Sequence, residues 1–351
     1  MTQASLSDTF RRLIAATGPI SLMHFMGESN ARYYARGDAL GAEGDFITAP
    51  EISQMFGELV GLWLADLWSR VGRPEPVQYV ELGPGRGYLA RDALRPMRQH
   101  GLEPSVHLVE GSASLRELQR EQVPGATFHD DLASVPQDAP ILLVANEFLD
   151  ALPIRQLTKT LKGWREVMVA VDDEGAFVPV AGQQPMDAAV PDDLRDADAG
   201  TLIETCPGAA AVMEEVAARL AQQGGAALFV DYGHLAARTG STLQAIRAHR
   251  KVDALAMPGE ADLTAHVDFA QMRQVAVSRG ARWMGATTQG AWLRALGIDQ
   301  RAEALARSAP QHRAVLMAQR ERLVADDQMG MLFKVMGLAA PGWPDGAGLA
   351  A

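Results

Sequence analysis

Apolar residues recur at helical intervals near the start of the chain and in short blocks further on. Leu6, Phe10, Leu13 and Ile14 share one face, so residues 5–17 read as an amphipathic helix. Gly18-Pro19 breaks it, and Ser21 suits the N-cap of a second helix over 21–36. A glycine-rich stretch, GDALGAEGDFITAP (37–50), leads into a third helix from about Glu51 to Trp68, marked by Met55, Leu59, Leu62 and Leu67. After Gly72–Pro76 the period changes. VQYVEL (77–82), SVHLVEG (105–111), ATFHD (126–130) and APILLVANEF (139–148) are short strand-like runs, with helical stretches at 88–100 and 112–122 between them. The last run does not alternate, as expected of a strand covered on both faces. Strands alternating with helices predict a doubly wound, mostly parallel, Rossmann-like α/β sheet with right-handed connections.

Residues 155–205 interrupt the rhythm. WREVMVAVDDEGAFVPV (164–180) reads as an antiparallel hairpin turning at Asp173–Gly175, and the Asp-, Pro- and Ala-rich stretch after it as a surface insertion. A helix over 208–223, a buried strand AALFVDYG (226–233) and a helix over 267–280 restore it. ARWMGATTQ (281–289) and MLFKVMGL (331–338) are set to pair antiparallel, with helices at 290–324 between them. The division expected is an N-terminal helical segment with a lid loop (1–75), then a Rossmann-like α/β domain (76–351). That domain carries insertions at about 155–205, 234–265 and 290–328.

Composition narrows the classes of function. With 48% hydrophobic residues the chain has ample material for a buried core. Its 43 acidic and 32 basic side chains leave a net charge of −11, which argues against a nucleic-acid partner and suits a small molecule or a basic protein segment. Cys206 is the sole cysteine, which excludes an internal disulfide and a Cys-rich zinc site; no metal is expected. Arg11 and Arg12 with nearby Ser and Thr faintly resemble a transit peptide, but the amphipathic helix accounts for them. No apolar stretch is long enough to span a bilayer or to act as a secretory leader, so the expectation is a cytoplasmic protein without membrane insertion. A homodimer is left open.

The sharpest motif is Glu81-Leu82-Gly83-Pro84-Gly85-Arg86-Gly87 after the first strand. Its glycines let the backbone turn tightly and approach a ligand. The spacing is G-x-G-x-G, with Tyr88 where a dinucleotide fold needs its third glycine, and no G-K-[ST] follows as in a P-loop. Glu110, ending the second strand, can accept from two ribose hydroxyls. Together these suit an adenosine cofactor without phosphate, S-adenosyl-L-methionine. Asp131 and the Leu132 amide are placed to meet the adenine, although either Asp130 or Asp131 reads equally as a helix cap. The fourth strand runs into Asn146, Glu147 and Asp150, at the strand ends where an open α/β sheet binds its ligands. Asp150 reads equally as an N-cap. Gly44-Asp45-Phe46-Ile47-Thr48-Ala49-Pro50 is expected to cover the cofactor, with Thr48 and Pro50 in contact. Tyr33 and Tyr34 either line an acceptor channel or merely pack.

GDFITAPEISQMFGE (44–58), ELGPGRG (81–87), NEFLDALP (146–153), DYG (231–233) with TLQA (242–245), and PGEADLTAHVDF (258–269) together resemble the MidA-type methyltransferases. That family includes the mitochondrial assembly factor of respiratory complex I that methylates arginine. The resemblance implies a methyltransferase fold, S-adenosyl-L-methionine as cofactor, and symmetric dimethylation of an arginine in a complex I subunit or another protein.

An arginine acceptor sets its own requirements. Its guanidinium is not deprotonated in advance, so carboxylates must hold it and aim one nitrogen at the methyl group. Glu147 is the expected clamp, with Asp150 or Glu204 as a second carboxylate and His266, near Asp268, as a base for the departing proton. His266 reads equally as structural. The competing readings are a cofactor-binding assembly factor without activity and a methyltransferase of small molecules. The strand-four motif lacks the N/D-P-P-aromatic pattern of base methylators.

Overall fold

Apolar runs buried on both faces must find strand neighbours on both sides, and here they do. In a computed structural model describing residues 5–35, 47–247 and 250–349, the four runs become β1 (Gln78–Leu82), β2 (Ser105–Val109), β3 (Thr127–His129) and β4 (Ile141–Asn146). β1 lies between β2 and β4, all parallel, with Gln78 opposite both Ser105 and Ile141. β5 (Gly225–His234) joins β4 in parallel, and β6 (Arg282–Thr288) and β7 (Phe333–Ala339) complete that side. The order is β3-β2-β1-β4-β5-β7-β6. The expected antiparallel terminal pair forms, but β7 is inserted between β5 and β6 and runs antiparallel to both. Nothing in its sequence distinguishes that interior position from an edge. The chain reverses its direction of growth between β1 and β4, which makes their carboxyl ends the switch point for a ligand.

The chain divides into two compact units, otherwise than at the boundary drawn near residue 75. One unit, residues 40–149, 211–236 and 267–351, contains this sheet. Its third expected helix is two: Ala49–Ile52 and Gln54–Arg70, parted at Ser53, whose backbone is extended (φ −159°) and whose Oγ caps the second piece through Met55 N–H. The longer helix packs on Tyr88–Gln99 through Gly57 and Gly61. A Cβ at Gly61 would lie 2.1 Å from the Ala93 carbonyl oxygen, so the backbones touch there.

The other unit is built from residues 1–39, 150–210 and 237–266. Strands Arg155–Thr160, Gly163–Val171, Phe177–Pro185 and Leu202–Thr205, with the short Ile20–Ser21, form an antiparallel sheet. Phe10, Phe25 and Phe177 pack beside it, the first two stacked at 4.9 Å. The stretch read as a surface insertion is partly core: Val190 is buried against Leu157, Trp164 and Ile203. The period-based reading missed this because one apolar residue among Asp and Pro carries no periodicity.

Gly61→Ala tests the helix contact. Alanine gains about 1 kcal/mol of helix propensity, but overpacking here is expected to cost more, roughly 1–3 kcal/mol. A urea midpoint that falls confirms the close approach; one that rises removes it.

Candidate cofactor and acceptor site

The glycine loop follows β1 directly. Gly83, Gly85 and Gly87 all have left-handed φ, at 60°, 53° and 82°. Gly87 caps the helix Tyr88–Gln99. A Cβ at Gly83 would stand 2.7 Å from the Phe148 ring, so this glycine keeps the loop against the segment after β4. Glu81, buried in β1, accepts a hydrogen bond from the Tyr79 hydroxyl at 2.5 Å. Burial pushes its carboxyl up to about 8 despite that bond.

Glu110 stands just past β2. Its Oε1 accepts from Ser112 N–H (2.8 Å) and its Oε2 from Gln119 Nε2 (3.2 Å); burial raises its pKa. Gln119 Nε2 also donates to the Gly85 carbonyl at 2.7 Å, so one amide ties the glycine loop to the acidic strand end, while its Oε1 is buried without a partner. Asp131 is the cap of a short 3-10 turn and accepts from Ser134 N–H at 2.9 Å, which is the bland alternative for this residue. Leu132 is buried at the start of that turn, and its carbonyl takes a 2.5 Å bond from the buried Arg219 guanidinium. Arg219 also bonds the Val135 carbonyl at 3.1 Å. Gln119 and Arg219 went unnoticed in the sequence because each acts across about a hundred residues or less of chain with no local signature.

At the end of β4 the backbone leaves the sheet through Glu147, whose φ of 51° is left-handed, a costly conformation for a residue with a side chain. Asp231, buried at 1% exposure on β5, holds it there: its Oδ2 accepts from the amides of Phe148 (3.2 Å) and Leu149 (2.9 Å). The Glu147 Oε1 accepts from Ala49 N–H at 3.1 Å and Asn146 Nδ2 at 3.0 Å. Burial, with Asp231 and Glu51 as neighbouring like charges, pushes the Glu147 carboxyl up to about 8. Asn146 is 9% exposed, and its Oδ1 is buried without a partner among the described residues. Thr48 precedes the short helix with Pro50 in its first turn, and Glu51 Oε2 accepts from Thr48 N–H at 3.1 Å. Gly44, Asp45 and Phe46 of the expected lid lie outside the described residues.

Asp150, Glu204, His266, Tyr33 and Tyr34 belong to the other unit, and Asp268 to the unit of the parallel sheet. Asp150 is buried, and no helix follows it, so the cap reading fails; the chain turns into the strand Arg155–Thr160 instead. The Asp150 carbonyl accepts from Ala265 N–H, and His266 N–H donates to Thr242 Oγ1 at 2.9 Å. Both Glu204 oxygens are occupied: Gln156 Nε2 donates to one at 2.8 Å, and Thr242 donates to both. Such a saturated carboxylate has little left for a second cation. Asp268 caps the helix Phe269–Ser278. Tyr34 donates to Asp262 at 2.9 Å and Tyr33 is buried, so both are packed within their unit.

Chemically, the site at the carboxyl ends of β1, β2 and β4 is rich in acceptors. Among the described residues, Asn146 Oδ1 and Gln119 Oε1 are buried and unmatched, and a Cβ at Gly83 would meet the Phe148 ring. A ligand with hydroxyl and ammonium donors and no phosphate fits that set. Among the described residues no cluster of His, Cys, Asp and Glu could hold a metal, and no helix is long and apolar enough to cross a membrane.

Comparison with known proteins agrees. The profile of an S-adenosyl-L-methionine-dependent methyltransferase family matches residues 59–287. The zebrafish (Danio rerio) mitochondrial protein arginine methyltransferase NDUFAF7 is 38% identical over 92% of this chain and 83% of its own length. The human protein of that name is 38% identical over 93% and 81%. A methyl transferase-type protein of Burkholderia thailandensis, crystallised bound to S-adenosyl-homocysteine, is 30% identical, with a TM-score of 0.82 over 98% of this chain and 93% of the other. The expectation of a cytoplasmic location is overturned by these findings: the zebrafish, human and fly relatives are all named mitochondrial. The apolar-run argument on which it rested does not tell one aqueous compartment from another.

Two outcomes follow from this geometry. Gly83→Ala forces a Cβ into the Phe148 ring at a left-handed φ, so calorimetry is expected to show affinity for S-adenosylhomocysteine falling about tenfold or more, in line with an overpacking cost of roughly 1–3 kcal/mol; unchanged affinity would separate the loop from the ligand. Glu81, at about 8 when folded against an ordinary 4.5, keeps its proton between those values while the unfolded chain has released it. Its stabilising contribution is full below about 4.5 and is lost as pH rises through about 8. The loss of melting temperature between pH 5 and 8 is expected to be smaller in Glu81→Gln than in the wild type.

Proposed function

The chain belongs to the S-adenosyl-L-methionine-dependent methyltransferase family, and on that premise we propose that it methylates the guanidinium of an arginine in a protein acceptor. The observation that carries this reading is Glu147: a carboxyl held at the switch point in a left-handed conformation, with its proton affinity raised by burial and by two further carboxylates. A group so placed gains most from a cation. The relatives named as protein arginine methyltransferases support the same acceptor. The resemblance in sequence motifs supports a subunit of respiratory complex I, or another protein, as the bearer of that arginine.

In this reading the cofactor lies along Gly83, Gly85 and Gly87, Glu110 takes its ribose hydroxyls, and the Leu132 amide meets its adenine. Asp131 shapes that turn. Asn146, bonded to Glu147 through its Nδ2, stands on the acceptor side, and Thr48 and Pro50 flank the cofactor. S-adenosyl-L-methionine supplies a methyl group carried on a sulfonium. The carbon–sulfur bond breaks as a nitrogen–carbon bond forms, leaving a neutral thioether, and the guanidinium gives up one proton. Glu147 neutralises the guanidinium, aims its nitrogen and takes that proton. Asp150 and His266 are not needed for these steps.

Glu147→Gln keeps the acceptor oxygen for Ala49 and Asn146 but cannot ionise. It is expected to fold, to bind S-adenosylhomocysteine normally, and to lose about 10²-fold or more in transfer of radiolabelled methyl groups to arginine. Because burial pushes the Glu147 carboxyl up to about 8, acceptor kcat/KM of the wild type should rise with pH through that value, as the carboxylate forms. Wild-type turnover in the variant, or label found only in nucleic acid or small molecules, would overturn the proposal.

A further inference from the structure

Three carboxyl groups lie around the end of β4: Glu147, whose proton affinity is raised by burial and by its neighbours, and those neighbours, Asp231 and Glu51. They are not equally occupied. Asp231 bonds the amides of Phe148, Leu149 and Tyr232. Glu147 uses Oε1 for Ala49 and Asn146. Glu51 uses Oε2 for Thr48, while its Oε1 is buried with no partner among the described residues. Burial raises the Glu51 pKa above the usual carboxylate range, and the cation of Arg86 offsets this only in part.

A second observation points the same way. Asn146, nine-tenths buried, already reaches Glu147 with its Nδ2, and its Oδ1 is left unmatched. Unmatched buried acceptors beside carboxylates are costly alone and are satisfied together by a cation with several donors. Glu51 and Glu147 are also anchored side by side, on the consecutive amides of Thr48 and Ala49. A planar guanidinium, with five donors in a fork, suits two adjacent carboxylates better than the compact charge of a lysine. Glu51 further lines an open cleft of about 630 Å³ with Tyr88, Leu305, His312 and Leu316, wide enough to admit a side chain from outside.

We propose that Glu51 is the second carboxylate binding the acceptor guanidinium, opposite Glu147, and that the arginine side chain enters by the cleft Glu51 lines. This rests on the reading of an arginine acceptor. It gives Glu51 the part that the sequence offered to Asp150 or Glu204.

The test uses the whole protein and two probes built on one scaffold: adenosine carrying a tethered guanidine at its 5′ carbon, and the same compound with a neutral urea. Wild type is expected to prefer the guanidine probe. Glu51→Gln, which retains an acceptor for Thr48, is expected to lose that preference about tenfold or more while binding S-adenosylhomocysteine as before. Glu51→Asp, which keeps the charge at a shorter reach, should retain part of it, and melting curves report whether either variant is folded. A Glu51→Gln protein that keeps the preference overturns the proposal. So does one that loses S-adenosylhomocysteine equally, since Glu51 would then serve the cofactor's ammonium. A wild type that prefers neither probe overturns the arginine reading itself, and the role of Glu51 with it.

Discussion

The hydrogen bonds that Asp231 accepts from the amides after β4 are what the site depends on. A carboxylate at 1% exposure would be prohibitively placed without donors, and here Phe148, Leu149 and Tyr232 supply them. In return, Asp231 stops the chain from continuing as strand and holds Glu147 at a φ of 51°, a conformation that costs of order 1–3 kcal/mol. β5 can reach β4 for this because the two are parallel neighbours, with Val230 opposite Asn146. The parallel register of two buried strands therefore sets the direction of a side chain at the site.

From that pinned turn the rest of the site follows. Phe148 lies where only a glycine can face it, at position 83, so the glycine loop and the strand-four segment fit as a pair. Glu147 reaches the amide of Ala49, which brings the start of the following helix, and Glu51 with it, to the same place. The result is an excess of acceptors over donors. Such a site is poorly satisfied by itself, which raises carboxyl pKa values and favours cationic or donor-rich ligands. Both substrates of an arginine methyltransferase are of that kind.

Much of this was legible in the amino-acid order. The alternation of buried runs and helices determined the parallel sheet, because a run such as ILLVAN has no polar face to show to water. The spacing of Gly83, Gly85 and Gly87 determined a tight loop and excluded a phosphate loop, since left-handed φ and Cβ clearance are properties of glycine itself. Glu110 and Glu147 were legible because a polar residue ending a buried strand needs a reason.

Only the tertiary structure decided the rest. Asp231, Gln119 and Arg219 act on backbone groups far away in sequence, and no local period or motif encodes a partner. Glu204 and Glu51 look alike as isolated acidic residues; their difference is that one has both oxygens bonded and the other does not. Whether β7 sits at an edge or in the interior depends on which strands bracket it. Local sequence determines which backbone conformations and which faces are affordable, whereas hydrogen-bond occupancy is a property of the assembled fold, and it is occupancy that separates a structural carboxylate from one available to a ligand.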